Sequence, residues 1–198
     1  MSEYEYSSPD ATQNVLFLPD ILRLLPPAPA QVLEVGCGNG YLAAHLSALG
    51  YDVIGLDMSE SGVRMARAAH PDINFHLASA YDDFRQLAAT CDVVLSVEVI
   101  EHLHSPRRFL ENAFRVVSPG GFLVLTTPYH GYLKNLVISL VNGWDRHFGV
   151  NWEGGHIKFF SPKTLASMAL NAGFKNARFR FAGRLPLLWK SMIMIVQK

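Results

Sequence analysis

Val32-Leu33-Glu34-Val35-Gly36-Cys37-Gly38-Asn39-Gly40 is the stretch from which the rest of this chain can be read. A short apolar run ends in three glycines at alternate positions. Leu42, Ala43, Leu46 and Leu49 then recur at helical spacing. A strand that runs through a glycine turn into a helix is a nucleotide-binding layout. Glycine lets backbone pass close to a ligand, and the first helical turn presents N–H groups with no partner inside the helix. A second apolar run, Val53-Ile54-Gly55-Leu56, ends at Asp57. An acid placed there can accept hydrogen bonds from the ribose hydroxyls of an adenosine.

The spacing decides which adenosine. In the dinucleotide fingerprint G-x-G-x-x-G the last position takes glycine or alanine, and here it is Tyr41. Glu34 lies two residues before the first glycine. A carboxylate there would repel a pyrophosphate and suits a ligand with an ammonium group. The pattern E-x-G-x-G-x-G, followed by an acid closing the next strand, resembles motif I and its partner in class I S-adenosylmethionine (SAM) methyltransferases. The resemblance covers about residues 30–198. It implies that the cofactor is SAM, whose sulfonium carries the reactive methyl. Mapped onto this chain, the cofactor contacts would be Glu34, Gly36, Cys37, Gly38, Asn39, Gly40, Asp57, Met58, Ser79, Ala80, Tyr81, Val97, Glu98 and Val99.

Composition agrees. A chain of 198 residues is expected to form one domain with small additions. Lys+Arg and Asp+Glu both total 17, so there is no global basic field and nucleic acid is not the expected partner. The start, Met1-Ser2-Glu3-Tyr4-Glu5-Tyr6, is acidic rather than apolar, unlike a secretory signal. No apolar run approaches the roughly 18 residues of a membrane span. Cys37 and Cys91 fall in different elements without C-x-x-C spacing. A reducing, cytoplasmic setting is therefore expected, with monomer and homodimer both open.

Strands and helices alternate along the chain. A polar arm covers 1–13, and a helix over 14–25 is stopped by Pro26-Pro27. Strands are expected at 31–35, 51–56, 73–77, 91–97 and 121–126, and helices at 40–49, 60–69, 82–89 and 106–117. Ser59 and Ser105 are the expected N-caps of the second and fourth of these helices. Helix 162–172 follows, ended by Gly173. Runs 175–182 and 190–197 have no helix between them and read as an antiparallel pair. The expected fold is α/β: a Rossmann-like, doubly wound, seven-stranded sheet. It is mostly parallel with an antiparallel last strand, and helices cover both faces.

Glu98-Val99-Ile100-Glu101-His102 closes the fourth strand. Together with Pro119-Gly120-Gly121, Thr126-Thr127-Pro128 and Gly155-His156-Ile157-Lys158-Phe159-Phe160-Ser161, it resembles the ubiquinone-biosynthesis O-methyltransferase group. E-x-x-E-H with a later histidine is also similar to small-RNA 3′-terminal 2′-O-methyltransferases. In both groups these side chains can hold a divalent cation. The resemblance implies Glu98, Glu101, His102 and His156 as ligands for Mg²⁺ or Mn²⁺, which would lower the pKa of a bound hydroxyl. The same pattern also occurs in class I methyltransferases that bind no metal. There His102 is the expected general base, with His156 as the alternative.

Ser79 stands where relatives often place an acid for the adenine amino group, with Ala80, Tyr81, Asp82 or Asp83 as substitutes. Tyr4 and Tyr6 are candidates to close over the cofactor. His130, just past Thr127-Pro128-Tyr129, is a candidate acceptor contact, and the other histidines are expected on the surface or in packing. Segment 128–160 is the expected substrate-binding insertion. Leu133, Leu136, Val137, Leu140 and Val141 recur at helical spacing, and Trp144, Phe148 and Trp152 follow. They form either core or a lid over an apolar acceptor, with weak membrane contact through flanking Lys134 and Arg146 a further use. The expected function is O-methylation of a small phenolic, quinone-precursor or other hydroxyl compound. The alternatives are a metal-assisted RNA 2′-O-methyltransferase, an NAD-dependent reductase, and a silent subunit that keeps the fold for a partner.

Overall fold

The computed structural model describes residues 17–148, 154–183 and 185–198. Seven strands make one sheet: β1 Gln31–Val35, β2 Asp52–Asp57, β3 Asn74–Leu77, β4 Cys91–Val97, β5 Val117–Pro128, β6 Lys175–Ala182 and β7 Ser191–Gln197. Their order is β3-β2-β1-β4-β5-β7-β6. The first five run parallel, and β7 lies antiparallel between β5 and β6. The helices are α1 Leu18–Leu22, α2 Tyr41–Ala48, α3 Glu60–Ala69, α4 Pro106–Val116, α5 Tyr132–Leu140, α6 Trp144–Phe148 and α7 Pro162–Asn171.

A parallel strand is covered on both faces, so β1 and β4 are almost continuously buried. One core, with Leu33, Leu56, Val94, Phe109 and Leu123, lies on one side of the sheet. The other, with Val32, Leu46, Val63, Val93 and Val124, lies on the opposite side. This alternation follows from successive side chains on a strand pointing to opposite faces. It leaves the C-terminal ends of β1, β2 and β4 adjacent, and the order reverses between β1 and β4. That switch point is where open α/β sheets bind ligands.

Local expectations meet the structure unevenly. The Ser59 hydroxyl caps α3 by accepting from Gly62 N at 3.1 Å. Ser105 does not cap α4, because its side chain makes no capping hydrogen bond. The proline at the first helical position lacks an N–H that would in any case have had no partner inside the helix. Residues 82–89 form only a short 3₁₀ turn, Phe84–Gln86, rather than a helix. The helix expected over 14–25 is reduced to Leu18–Leu22 among the described residues. Strand β5 is longer than 121–126 because its start pairs with Cys91 before a register shift. Helix α6 had no expectation of its own. Tyr4, Tyr6 and Trp152 lie outside the described residues.

Candidate functional site

The loop after β1 is built by hydrogen bonds to the end of β2. Gly36 N and Cys37 N both donate to Leu56 O, at 2.8 and 3.0 Å. Gly38 N donates to Asp57 Oδ2 at 2.8 Å, and Ser59 N donates to Asp57 Oδ1 at 2.8 Å. Asp57 therefore fixes the loop through one bond to each oxygen, and each oxygen retains lone-pair capacity for a further donor. Burial raises its pKa, while those backbone N–H groups pull it down. Gly36 has φ +84°, and a Cβ there would stand 2.3 Å from Val99 Cγ2. At Gly40, φ is +80°, and a Cβ would meet Ala66 and Phe75, both at 2.8 Å. These two positions require glycine for conformation and for space together.

Glu34 is buried beneath this loop, and its Oε2 has no hydrogen-bond partner. Burial, and then the charge of Asp57, push its carboxyl up to about 8. A buried carboxylate in that position calls for a cationic partner. Burial, with Glu34 and Asp57 adding their charge, drives the Cys37 thiol far above its ordinary value, so Cys37 is an inert wall residue. An open strand-end switch point, a glycine cradle, an aspartate and an acid with one oxygen unpartnered fit an adenosine that carries an ammonium group.

The second cluster sits at the end of β4. Glu98 adopts φ +54°, uncommon for a non-glycine residue. Its N–H donates to Thr126 Oγ1 at 3.0 Å, and the same hydroxyl donates to Glu98 Oε1 at 2.9 Å. A 3₁₀ turn, Ile100–His102, follows. Glu101 O accepts from Ile157 N and Lys158 N, both at 3.0 Å, which ties the distant segment 156–158 to this turn. His156 is thereby brought beside His102, with ring centroids 4.9 Å apart.

Glu101 is fully buried. Its Oε2 accepts from Thr127 Oγ1 at 3.0 Å, and its Oε1 lies 3.9 Å from His156 Nε2 without a hydrogen-bond partner. Burial, then the Glu98 charge, raises its pKa well above the usual carboxylate range. His102 Nδ1 lies 3.2 Å from Gly155 O. A carbonyl only accepts, so Nδ1 carries the proton and Nε2 is the basic nitrogen. Burial lowers the pKa of His102, and burial with neighbouring cations lowers His156 to about 4.

Of the four ligands that the sequence suggests, Glu101, His102 and His156 offer donor atoms within 4.8 Å of one another. Glu98 is instead engaged by Thr126, so the four do not form one tight set. Two imidazoles and one carboxylate at that separation could close on a divalent cation with a small contraction.

The profile of the methyltransferase-domain family matches residues 10–178. This chain belongs to the SAM-dependent methyltransferases. The ubiquinone biosynthesis O-methyltransferase of Hydrogenovibrio crunogenus is 31% identical over 72% of this chain and 61% of its own length. That of Thiobacillus denitrificans is 32% identical over 76% of this chain and 66% of its own. The chain thus spans somewhat under two thirds of the length of these curated relatives. A SAM-dependent methyltransferase from Archaeoglobus fulgidus has the same fold, with TM-score 0.73 and 18% identity over 94% of this chain and 95% of that one. SAM is the cofactor of this methyltransferase family, and the Gly36–Gly40 loop with Asp57 and Glu34 fits it.

The remaining expected site residues lie around these two clusters. Val97, Glu98 and Val99 share the strand-end level with the loop. Met58 is exposed just past the end of β2. Ser79, Ala80 and Tyr81 form a hydrogen-bonded turn tied to the start of α4: Ser79 N donates to Asp82 Oδ2, Tyr81 N to Ser79 Oγ, and Ser105 N to Tyr81 Oη. The Ser79 hydroxyl is thus already used locally. His130 packs with His147, Phe148 and Phe159, and burial lowers its pKa to about 4.

Sequence reasoning assigned no role to the hydroxyls of Thr126 and Thr127. Both are buried at the end of β5, and adjacent buried hydroxyls need partners, which the two glutamates supply. It also placed Lys134 as a surface flank, whereas Lys134 is only 5% exposed and donates to Tyr129 O at 2.7 Å. The stripe on α5 is not core: Leu133, Leu136, Val137, Leu140 and Val141 are all exposed.

Proposed function

We propose that this chain transfers the methyl of SAM to an oxygen of a small hydroxylated acceptor held over the end of β4. The observation that carries the reading is the pairing of two clusters at one end of the sheet. The Gly36–Gly40 loop with Asp57 and Glu34 lies on one side of the switch point, and Glu101, His102 and His156 lie on the other. In this reading Asp57 accepts from the ribose hydroxyls, and Glu34 faces the ammonium. Met58, Ala80 and Tyr81 flank the adenine, and Val97, Glu98 and Val99 form the floor. The bound sulfonium supplies the methyl electrophile.

His102 Nε2 takes the acceptor proton as oxygen attacks, a role that its neutral state at pH 7 allows. Gly155 O holds the imidazole in the tautomer that leaves Nε2 basic. Placing the hydroxyl in line with the methyl supplies most of the acceleration. The names of the curated relatives favour a phenolic or quinone-precursor acceptor. The balanced charge, 17 basic and 17 acidic residues, disfavours RNA. Among the described residues no helix is long and apolar enough to cross a membrane.

One observation favours a second reading of the same cluster. The unpartnered Oε1 of buried Glu101, beside His156 and His102, suits a divalent cation that would bind the acceptor oxygen in place of a base. The test is turnover of a catechol-type acceptor with SAM, read as methylated product by mass spectrometry. His102→Ala should lower it by about 10²–10⁴-fold with SAM affinity unchanged. Full activity of that variant would remove His102 from the reaction.

A further inference from the structure

A cavity of about 380 Å³ is lined by His130, Asn135, Trp144, Phe148 and Phe159. Its volume falls within the roughly 300–1,000 Å³ of small-molecule sites. Two of its walls leave directly from the cluster at the end of β4. His130 is three residues beyond Thr127, whose hydroxyl holds Glu101, and Phe159 is three residues beyond His156. Three residues of chain span roughly 10 Å at most. The charge of His156 also bears on His130. The cavity therefore adjoins the side chains that would meet an acceptor hydroxyl.

The walls are rings in two orientations. His130, Phe148 and Trp144 form an offset column: His130 and Phe148 lie 16° from parallel at 5.7 Å, and Phe148 and Trp144 lie 11° from parallel at 5.1 Å. Phe159 stands across the column, at 89° to His130 and 87° to Phe148, with ring centroids 5.1 Å away in both cases. Trp144 is 39% exposed and Phe159 54%. Two large rings left in water beside the cluster, on separate segments of chain, mark a face that a ligand covers. A flat ring laid parallel to the column stands perpendicular to Phe159. One pose thus gains offset stacking and an edge-to-face contact together. A saturated body of the same size gains only the burial of its area.

We propose that this aromatic box holds the ring of the methyl acceptor, and that Trp144, Phe148 and Phe159 select an aromatic hydroxyl over an aliphatic one. The inference rests on the reading of His102 as the group that meets the acceptor. Position fixes the occupant: a molecule that gives its hydroxyl proton to His102 must place its body close by, and the box lies within that reach. The geometry of the walls fixes its shape, because only a flat ring meets both orientations at once.

The test uses the full chain loaded with S-adenosylhomocysteine, with phenol and cyclohexanol as probes of matched size. Ligand-observed NMR gives the affinity, and the Trp144 indole N–H gives the location. Phenol should shift that indole resonance and bind at least fivefold more tightly than cyclohexanol. Phe159→Leu and Trp144→Leu, both at exposed positions where folding is not at stake, should each cut the preference to twofold or less. Trp144→Phe should keep it. In turnover of catechol, Phe159→Leu should raise KM tenfold or more with a much smaller change in kcat. Equal affinity of wild type for the two probes would overturn the proposal. So would a preference that survives in both leucine variants, or phenol binding that leaves the Trp144 resonance unmoved. Wild type that prefers phenol at Trp144 but methylates no phenolic acceptor would uphold the selectivity of the box and overturn the methyl-transfer reading instead.

Discussion

Replacing Gly36 by alanine separates two costs that the structure places on one atom. The backbone there has φ +84°, and the new Cβ would stand 2.3 Å from Val99 Cγ2. Left-handed backbone costs an L-residue about 1–2 kcal/mol. Overpacking against the partly buried Val99 side chain costs about 1–3 kcal/mol more. Alanine restricts the unfolded chain and returns about 0.4–1 kcal/mol. Gly36→Ala should therefore destabilise the fold by about 1–4.5 kcal/mol, read from urea unfolding with an unchanged slope.

Val99→Ala removes the clashing methyls and leaves the dihedral strain. In that background the same glycine substitution should cost about 1–3 kcal/mol less, a coupling that a double-mutant cycle reports directly. Additive effects, or a Gly36→Ala protein as stable as wild type, would refute the reasoning. The contact matters because it sets the spacing between the glycine loop and the Glu98–His102 turn, and so between the two halves of the site.

Other outcomes follow from the same geometry. Glu34, with its carboxyl near 8, is mostly protonated at pH 7 and must ionise to meet an ammonium, so SAM binding should release a proton. Affinity should then rise from pH 6 to 7.5 in wild type and stay flat in Glu34→Gln; a flat wild-type profile would contradict the pairing. Turnover should survive EDTA, while His102→Ala should lower kcat by about 10²–10⁴. Loss of activity on chelation, restored by Mg²⁺ or Mn²⁺, would transfer the role to a cation at Glu101, His102 and His156. Amides of Tyr132–Phe148 should exchange fast in the free protein and slow down with SAM and acceptor bound, because α5 exposes its apolar stripe; protection matching that of β4 without ligand would exclude a lid.

The sheet was legible because strands buried on both faces announce themselves as short apolar runs. Cys91–Val97 is such a run and was bounded correctly from sequence; Lys175–Ala182, an edge strand with much of its length exposed, is not such a run but was also bounded correctly, as was the antiparallel pairing at the end. The cofactor loop was legible because its demands fall on consecutive residues: three glycines, an acid before them and Asp57 after the next strand. The rest depends on contacts between distant residues. Nothing in the sequence says that Val99 fills the space over Gly36, or that Glu101 O carries segment 156–158 to the turn. Nor could it show that Thr126 claims Glu98 while Thr127 claims Glu101, since two threonines in a strand read equally well as packing. Lys134 sits on an amphipathic segment where burial depends on how α5 lies against β5. The helical spacing of Leu133–Val141 gave a stripe, but no sequence pattern says whether a stripe faces core or solvent.

The most direct test is a calorimetric titration of SAM into wild type and Asp57→Asn side by side, with NADH as the control ligand. Asp57 holds Gly38 N and Ser59 N at 2.8 Å each, and in the proposed function its charge also meets the ribose hydroxyls. Losing charge-assisted hydrogen bonds worth about 1.5–3 kcal/mol should weaken SAM by roughly ten- to a hundredfold. Wild type should bind one SAM and ignore NADH, and Asp57→Asn should remain folded with affinity reduced by that factor. Equal SAM affinity in the two proteins, or binding of NADH in place of SAM, would contradict the account.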